Sequence, residues 1–102
     1  MVDLIAQHRA ELFELCKRYR VRRLDLFGSA TRDTFNPAAS DLDFLVEFDN
    51  LTVDDAADRF LGLLIDLEDL FGRKVDLVSA NAIRNPYFRD AVNRTRVPLY
   101  AA

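Results

Sequence analysis

Cysteine is almost absent from these 102 residues. Cys16 stands alone, which excludes a disulfide within the chain and a cysteine-based zinc cluster. It falls on the apolar stripe of a helix with Leu12 and Tyr19, so a buried thiol acting as a small hydrophobe is expected. Histidine also occurs once. His8 sits at a helix position expected to face solvent, with no Ser or Cys partner in a nucleophile motif. No run approaches the roughly 18 apolar residues of a membrane span. The stretch from Met1 to Arg9 carries charges in place of the apolar segment of a signal peptide, so a cytoplasmic protein is expected. No repeat, low-complexity tract or linker interrupts the chain, and one domain over residues 1–102 is expected. A basic balance is missing too. The net charge of −3 argues against a broad electrostatic grip on nucleic acid, and no direct nucleic-acid partner is expected. Lysine is confined to Lys17 and Lys74, while the other 12 of the 14 basic residues are arginine. Arginine suits bidentate phosphate or carboxylate contacts and interface anchoring, and composition does not choose between them.

Several nucleotide and catalytic signatures are also lacking. Gly28 to Arg32 has no Gly-Lys-Ser/Thr ending, so it is not a P-loop, and no Gly-x-Gly-x-x-Gly dinucleotide turn occurs. Gly28-Ser29-Ala30 is not the nucleophile elbow of a hydrolase. Glu47 and Asp49 lack the Gly-centred acidic loop of a calcium hand and read as a solvated face.

What is present is an ordinary globular balance, 50% apolar and 30% charged. Residues 3 to 20 read as one amphipathic helix, with Ile5, Leu12, Phe13, Cys16 and Tyr19 at helical spacing and Asp3 as cap. Arg22 to Phe27 reads as a strand, with Leu24 and Leu26 on one face and Asp25 and Phe27 on the other. A helical turn is expected over Ala30 to Asp33 and a loop over Thr34 to Ser40. Leu42 to Phe48 is a second strand. Thr52 caps a helix that ends at Phe71, with Gly72 beyond it. Lys74 to Val78 is a third strand, Asn85-Pro86 opens a last helix, and Pro98 to Tyr100 is a short edge strand. The order implies an α/β (α+β) fold: a small mixed sheet of three to four strands with helices packed on one face.

The chemistry concentrates around three acids. Asp41 and Asp43 lie two apart on a strand, so their side chains leave one face with Cα atoms about 6.6 Å apart. Carboxylates that close repel, and one titrates high unless a cation intervenes. Two Mg2+ ions some 3.5–4 Å apart resolve this and serve in-line phosphoryl transfer. Asp76 lies between Val75 and Leu77. If those two face the core, Asp76 faces the side of Asp41 and Asp43. Gly28 follows a strand directly and lets the backbone approach a ligand. The amides after it, with the Ser29 hydroxyl, make an anion site. Arg32 could reach a phosphate or form a surface salt bridge. Taken singly, Asp41 suits a strand end and Asp43 a solvated face; only the combination points to metals. Arg84, Arg89, Arg94 and Arg96 form either a solvated face or a docking surface, and Tyr87 and Phe88 divide between core and surface.

The Gly28-Ser29 turn, 11 further residues, then Asp41-Leu42-Asp43 resembles the signature of the DNA polymerase beta-type nucleotidyltransferase superfamily. The ending Val97-Pro98-Leu99-Tyr100 and the chain length are similar to its minimal nucleotidyltransferases. These are usually encoded beside a HEPN-domain protein as antitoxin and toxin. The resemblance covers nearly the whole chain and implies a nucleotidyltransferase fold. It implies that Asp41, Asp43 and Asp76 bind two Mg2+ ions and that Asp76 also serves as general base. It implies that Gly28 and Ser29 hold the β- and γ-phosphates of ATP, with Arg32 nearby. It further implies transfer of AMP to a tyrosine of a HEPN ribonuclease, with pyrophosphate leaving. The sequence departs from the pattern at Asp33, where many relatives have Gly, and at Ala30, where relatives often carry a larger or basic residue. An inward-pointing Asp33 would weaken nucleotide binding. Two rivals stand beside this reading: neutralisation of a HEPN toxin by binding alone, and nucleotidyl transfer to a small molecule. The length of 102 residues argues against the second, whose enzymes generally carry a further helical domain. A short exposed sheet edge leaves association into oligomers open.

Overall fold

Two seven-residue stretches with apolar side chains at every second position lie side by side. β1 (Val21–Phe27) and β2 (Leu42–Phe48) pair antiparallel, with Leu24 opposite Val46 and Leu26 opposite Phe44. The computed structural model describes residues 3–28, 41–50, 52 and 54–102. Along these the order is α1 (Asp3–Gln7), α2 (Arg9–Arg18), β1, β2, α3 (Ala56–Phe71), β3 (Val75–Ser79), a 3₁₀ turn (Ala80–Ala82), α4 (Pro86–Thr95) and β4 (Val97–Ala101). The sheet runs β3-β2-β1-β4, with β2 and β3 parallel and β1 antiparallel to both its neighbours. This is the expected small mixed sheet. The expected turn over Ala30–Asp33 and loop over Thr34–Ser40 lie outside the described residues.

The main core lies on the face that receives Leu24 and Leu26 of β1, and Leu42, Phe44 and Val46 of β2. Ile5, Leu12, Cys16, Leu63 and Leu67 from α1, α2 and α3 pack there. Each fully buried leucine contributes about 1.5–3 kcal/mol. Burial pushes the Cys16 thiol up to about 12, as suits an inert core thiol. A smaller cluster of Phe27, Leu45, Ile83 and Val92 lies on the opposite face, where α4 packs on β1 and the 3₁₀ turn on β2, so the helical elements flank both faces of the sheet. No helix among the described residues is long and apolar enough to cross a membrane.

The amphipathic stretch over residues 3 to 20 is divided at His8, whose Nδ1 lies 2.8 Å from Glu11 Oε2. Both pieces still face the core through Ile5 and Leu12. Thr52 and Asp55 exchange hydrogen bonds ahead of α3: the Thr52 N–H donates to Asp55 Oδ1 at 3.0 Å and the Asp55 N–H to Thr52 Oγ1 at 3.4 Å. This reciprocal pair has the form of a capping box. At the other end Gly72 takes φ 64°, and its N–H donates to Glu68 O. The Glu68 carboxylate then accepts the Val75 N–H at 3.1 Å, which sets the entry to β3 one residue before Asp76. Asn85 caps α4, its Oδ1 accepting from the Tyr87 and Phe88 N–H groups, with Pro86 in the first turn.

One arginine ties the corners together. The buried Arg59 guanidinium donates to the carbonyls of Tyr19, Arg20, Asp49 and Asn50 and lies 5.0 Å from the Phe48 ring centroid. Arg20 and Asn50 both adopt positive φ, so Arg59 holds two tight corners at once.

Candidate active site

Strand alternation decides where the acids point. Phe44 is in the main core, so Asp43 must leave the opposite face. Val75 and Leu77 also pack on that core, so Asp76 leaves the same face as Asp43. Parallel pairing sets Asp43 beside Asp76, and antiparallel pairing sets Phe27 beside Asp43. One row therefore crosses three strands as Asp76, Asp43, Phe27, with Gly28 at the end of β1.

The electrostatics follow from that row. Asp43 is half-buried while Asp76 is exposed. Burial pushes the Asp43 carboxyl up from 3.8 to about 6, and the Asp76 charge, a hydrogen bond with Asp76 and the Asp41 charge add to the shift. Asp41 stands just before β2, with its Oδ2 3.9 Å from the Lys74 ammonium. Among the described residues no group of three acids, histidines or cysteines stands at metal-holding spacing. Asp43 and Asp76 form a close pair, and Asp41 faces Lys74 instead. Both side chains of that last contact are largely exposed, so the contact is weak.

Gly28 is pressed against this pair. Its φ is 75°, and a Cβ placed on it would overlap the Asp43 carboxylate. A side chain there would be strained by the backbone and would push the Asp43 carboxylate aside, so glycine is favoured on both counts. The Gly28 N–H donates to Thr95 Oγ1 at 2.9 Å. The structure thus brings together Gly28, Asp43 and Asp76, with Asp41 at the margin. Ser29 and Arg32 lie outside the described residues, as do Ala30 and Asp33.

Two neighbours of the site were not legible as such. Asp25 is fully buried on this same face, and its Oδ2 accepts from Arg96 Nε at 2.8 Å and Nη2 at 2.5 Å. An acid between Leu24 and Leu26 was the signal for it, the same signal that marks Asp76. Thr95 gave no signal, because its contact with Gly28 spans 67 residues. Of the basic C-terminal set, Arg96 is thus paired inward, Arg89 donates to Ile83 O at 2.6 Å, and Arg94 pairs with Asp90. Tyr87 and Phe88 do not divide between core and surface: they are 85% and 41% exposed, although Phe88 also packs edge-on against Phe27 at 6.2 Å between centroids.

The chain matches known proteins over most of its length. The family model of the nucleotidyltransferase domain matches residues 10–98. A Methanocaldococcus jannaschii protein named "Putative protein adenylyltransferase" is 39% identical over 90 residues, 88% of this chain and 85% of that protein. A solved "putative minimal nucleotidyltransferase" superposes with a TM-score of 0.68 at 34% identity, covering 94% of this chain and 93% of that one. A solved complex of tri-AMPylated Shewanella oneidensis HEPN toxin with MNT antitoxin holds a chain of the same fold. There the TM-score is 0.64 at 18% identity, over 95% of this chain and 72% of that chain.

Proposed function

This chain belongs to the nucleotidyltransferase domain family, and from that premise we propose that it is a Mg2+-dependent protein adenylyltransferase acting in the cytoplasm. Its reaction moves AMP from ATP to a tyrosine hydroxyl of a HEPN-domain ribonuclease, which it silences as an antitoxin. The observation that carries this reading is the placement of Asp43 beside Asp76 on one face, with Gly28 closed against Asp43. The name of the Methanocaldococcus relative supports a protein acceptor. The HEPN partner rests on the resemblance of the sequence to minimal nucleotidyltransferases.

The donor set fits a divalent cation. Carboxylates alone are hard ligands suited to Mg2+. Asp43, held up to about 6 by burial and its acidic neighbours, gains from a cation beside it. Asp43 and Asp76 would hold the ions, and Asp41 would join them by turning its exposed carboxylate away from Lys74. Bound Mg2+ supplies charge neutralisation for the triphosphate and for the leaving pyrophosphate.

The remaining work falls to the chain itself. Gly28 lets the backbone come close to the triphosphate, and Ser29 and Arg32 contribute a hydroxyl and a guanidinium to its β- and γ-phosphates. Asp76, exposed at the rim, is open to an incoming acceptor and takes its phenolic proton. The phenolic oxygen bonds to the α-phosphorus as the bond to pyrophosphate breaks. Catalysis of this kind is mostly positioning and charge stabilisation.

Mass spectrometry tests the proposal. The protein is mixed with its genomic neighbour, ATP and Mg2+, and the neighbour is weighed. A gain of one or more AMP units, lost with Asp43→Asn, is expected. Neutralisation of the neighbour's ribonuclease with no gain in mass would replace transfer by occlusion. A neighbour unrelated to HEPN proteins that gains no mass would remove the antitoxin role.

A further inference from the structure

We propose that Thr95 is a positioning residue of the nucleotide site, holding the Gly28 hinge in place from the end of α4. The inference rests on the adenylyltransferase reading and adds to it a residue 67 positions from the hinge.

The bond is directional. The Gly28 N–H donates to Thr95 Oγ1 at 2.9 Å, and the Thr95 hydroxyl lies 3.3 Å from Ala91 O and 3.4 Å from Val92 O. A hydroxyl has one proton to give and two lone pairs to receive with. Thr95 therefore accepts from the hinge and donates back into its own helix. The Gly28 N–H is thereby committed to Thr95 rather than to phosphate. Gly28 enters the site through its shape, lacking the Cβ that would strike Asp43.

The anchor behind Thr95 is firm. The next residue, Arg96, closes α4 with its N–H on Val92 O at 2.9 Å. Its guanidinium grips the fully buried Asp25 of β1, three residues before Gly28. The end of α4 is thus bound to β1 at Asp25 and to the residue just beyond it, Gly28. A glycine at φ 75° has unusual freedom to move to other backbone states. Its dihedrals set the direction in which the chain leaves toward Ser29. The bond to Thr95 restrains that freedom where the triphosphate must be met, and preorganisation of this kind raises affinity by lowering the ordering cost.

Isosteric variants separate this role from plain stability. Thr95→Val keeps the branched shape and removes the hydroxyl, while Thr95→Ser keeps the hydroxyl. Gly62→Ala, in the α2–α3 contact, serves as a destabilised control. ATP affinity with Mg2+ is measured by calorimetry beside the melting temperature, and the exchange rate of the Gly28 amide by NMR. Thr95→Val is expected to bind ATP about tenfold more weakly, in line with one lost hydrogen bond, and to lose protection at the Gly28 amide. Thr95→Ser should restore affinity to within about twofold, and Gly62→Ala should keep it. Wild-type affinity in Thr95→Val overturns the inference. So does a Thr95→Ser as weak as Thr95→Val, or a Gly62→Ala that loses affinity in step with its melting temperature. A wild-type protein that binds no ATP would overturn the adenylyltransferase reading, and this inference with it.

Discussion

Asp43 sits in an unfavourable environment for a charged carboxylate. It is half-buried, beside Asp76 and near Asp41, and its carboxyl is held up from 3.8 to about 6. A raised carboxyl favours the neutral form in the fold. Its contribution to stability is therefore fully present below about pH 4 and is lost as pH rises through about 6. At neutral pH the metal-free protein is destabilised by the charge on this residue. Partial solvent screening reduces the nominal effect to about 1–2 kcal/mol. Asp43→Asn should then melt several degrees above wild type at pH 7.5 without Mg2+, and close to it at pH 4. Added Mg2+ should raise the melting temperature of wild type but not of Asp43→Asn, which should also lose AMP transfer. Scanning calorimetry at the two pH values, with and without the ion, reads all of this. A wild type already as stable as the variant at pH 7.5 would mean that the carboxylates do not crowd one another.

At the scale of the elements, three glycines perform three separable tasks. Gly72 ends α3 at φ 64° with nothing within 4 Å of a Cβ placed on it. Gly72→Ala should cost about 1 kcal/mol of backbone strain, and Gly72→Asn less. Gly62 is strain-free, but a Cβ there would lie 2.7 Å from the Tyr19 ring, whose hydroxyl donates to Asp66 Oδ2 at 2.5 Å. Gly62→Ala should cost about 1–2 kcal/mol, by pushing the Tyr19 ring off its bond to Asp66 against the gain in helix propensity from alanine. Gly28 combines both problems and adds the site, so Gly28→Ala should lose stability and nucleotide binding together. Urea titration should place Gly72→Ala nearest to wild type. Gly72 was legible as a helix stop because it follows an apolar stripe of helical period. The close approach at Gly62 was not, since it depends on which face of α2 meets α3. For the same reason α1 and α2 read as one helix: their apolar spacing continues across His8, and periodicity does not register a local break.

At the scale of the molecule, the buried pair of Asp25 and Arg96 joins residues 71 apart and ties the C-terminal elements to the middle of the sheet. Arg96→Met should leave the Asp25 carboxylate buried with only Arg23, 3.3 Å away and partly exposed, to offset it. Removing one partner of such a pair costs about 3–5 kcal/mol, and the remaining Arg23 contact argues for the lower end. Combining Asp25→Leu with Arg96→Met should recover much of that loss. Equal urea midpoints for wild type and Arg96→Met would show that the pair contributes nothing to the fold.

The pattern of acids was determined by the sequence alone. A strand repeats every two residues, so once Leu42, Phe44 and Val46 are buried, Asp43 has only one face left. The same rule turned Asp76 outward between Val75 and Leu77. Tertiary structure decided which of these acids became neighbours. The crossover through α3 laid β3 parallel to β2 in the register that sets Asp76 beside Asp43. It left Asp41 facing Lys74, brought Thr95 to Gly28 and closed Arg96 on Asp25. Side-chain periodicity is a local property and is written in any short stretch of chain. Contacts between distant residues exist only once the whole core has closed, because their positions follow from packing rather than from any one segment.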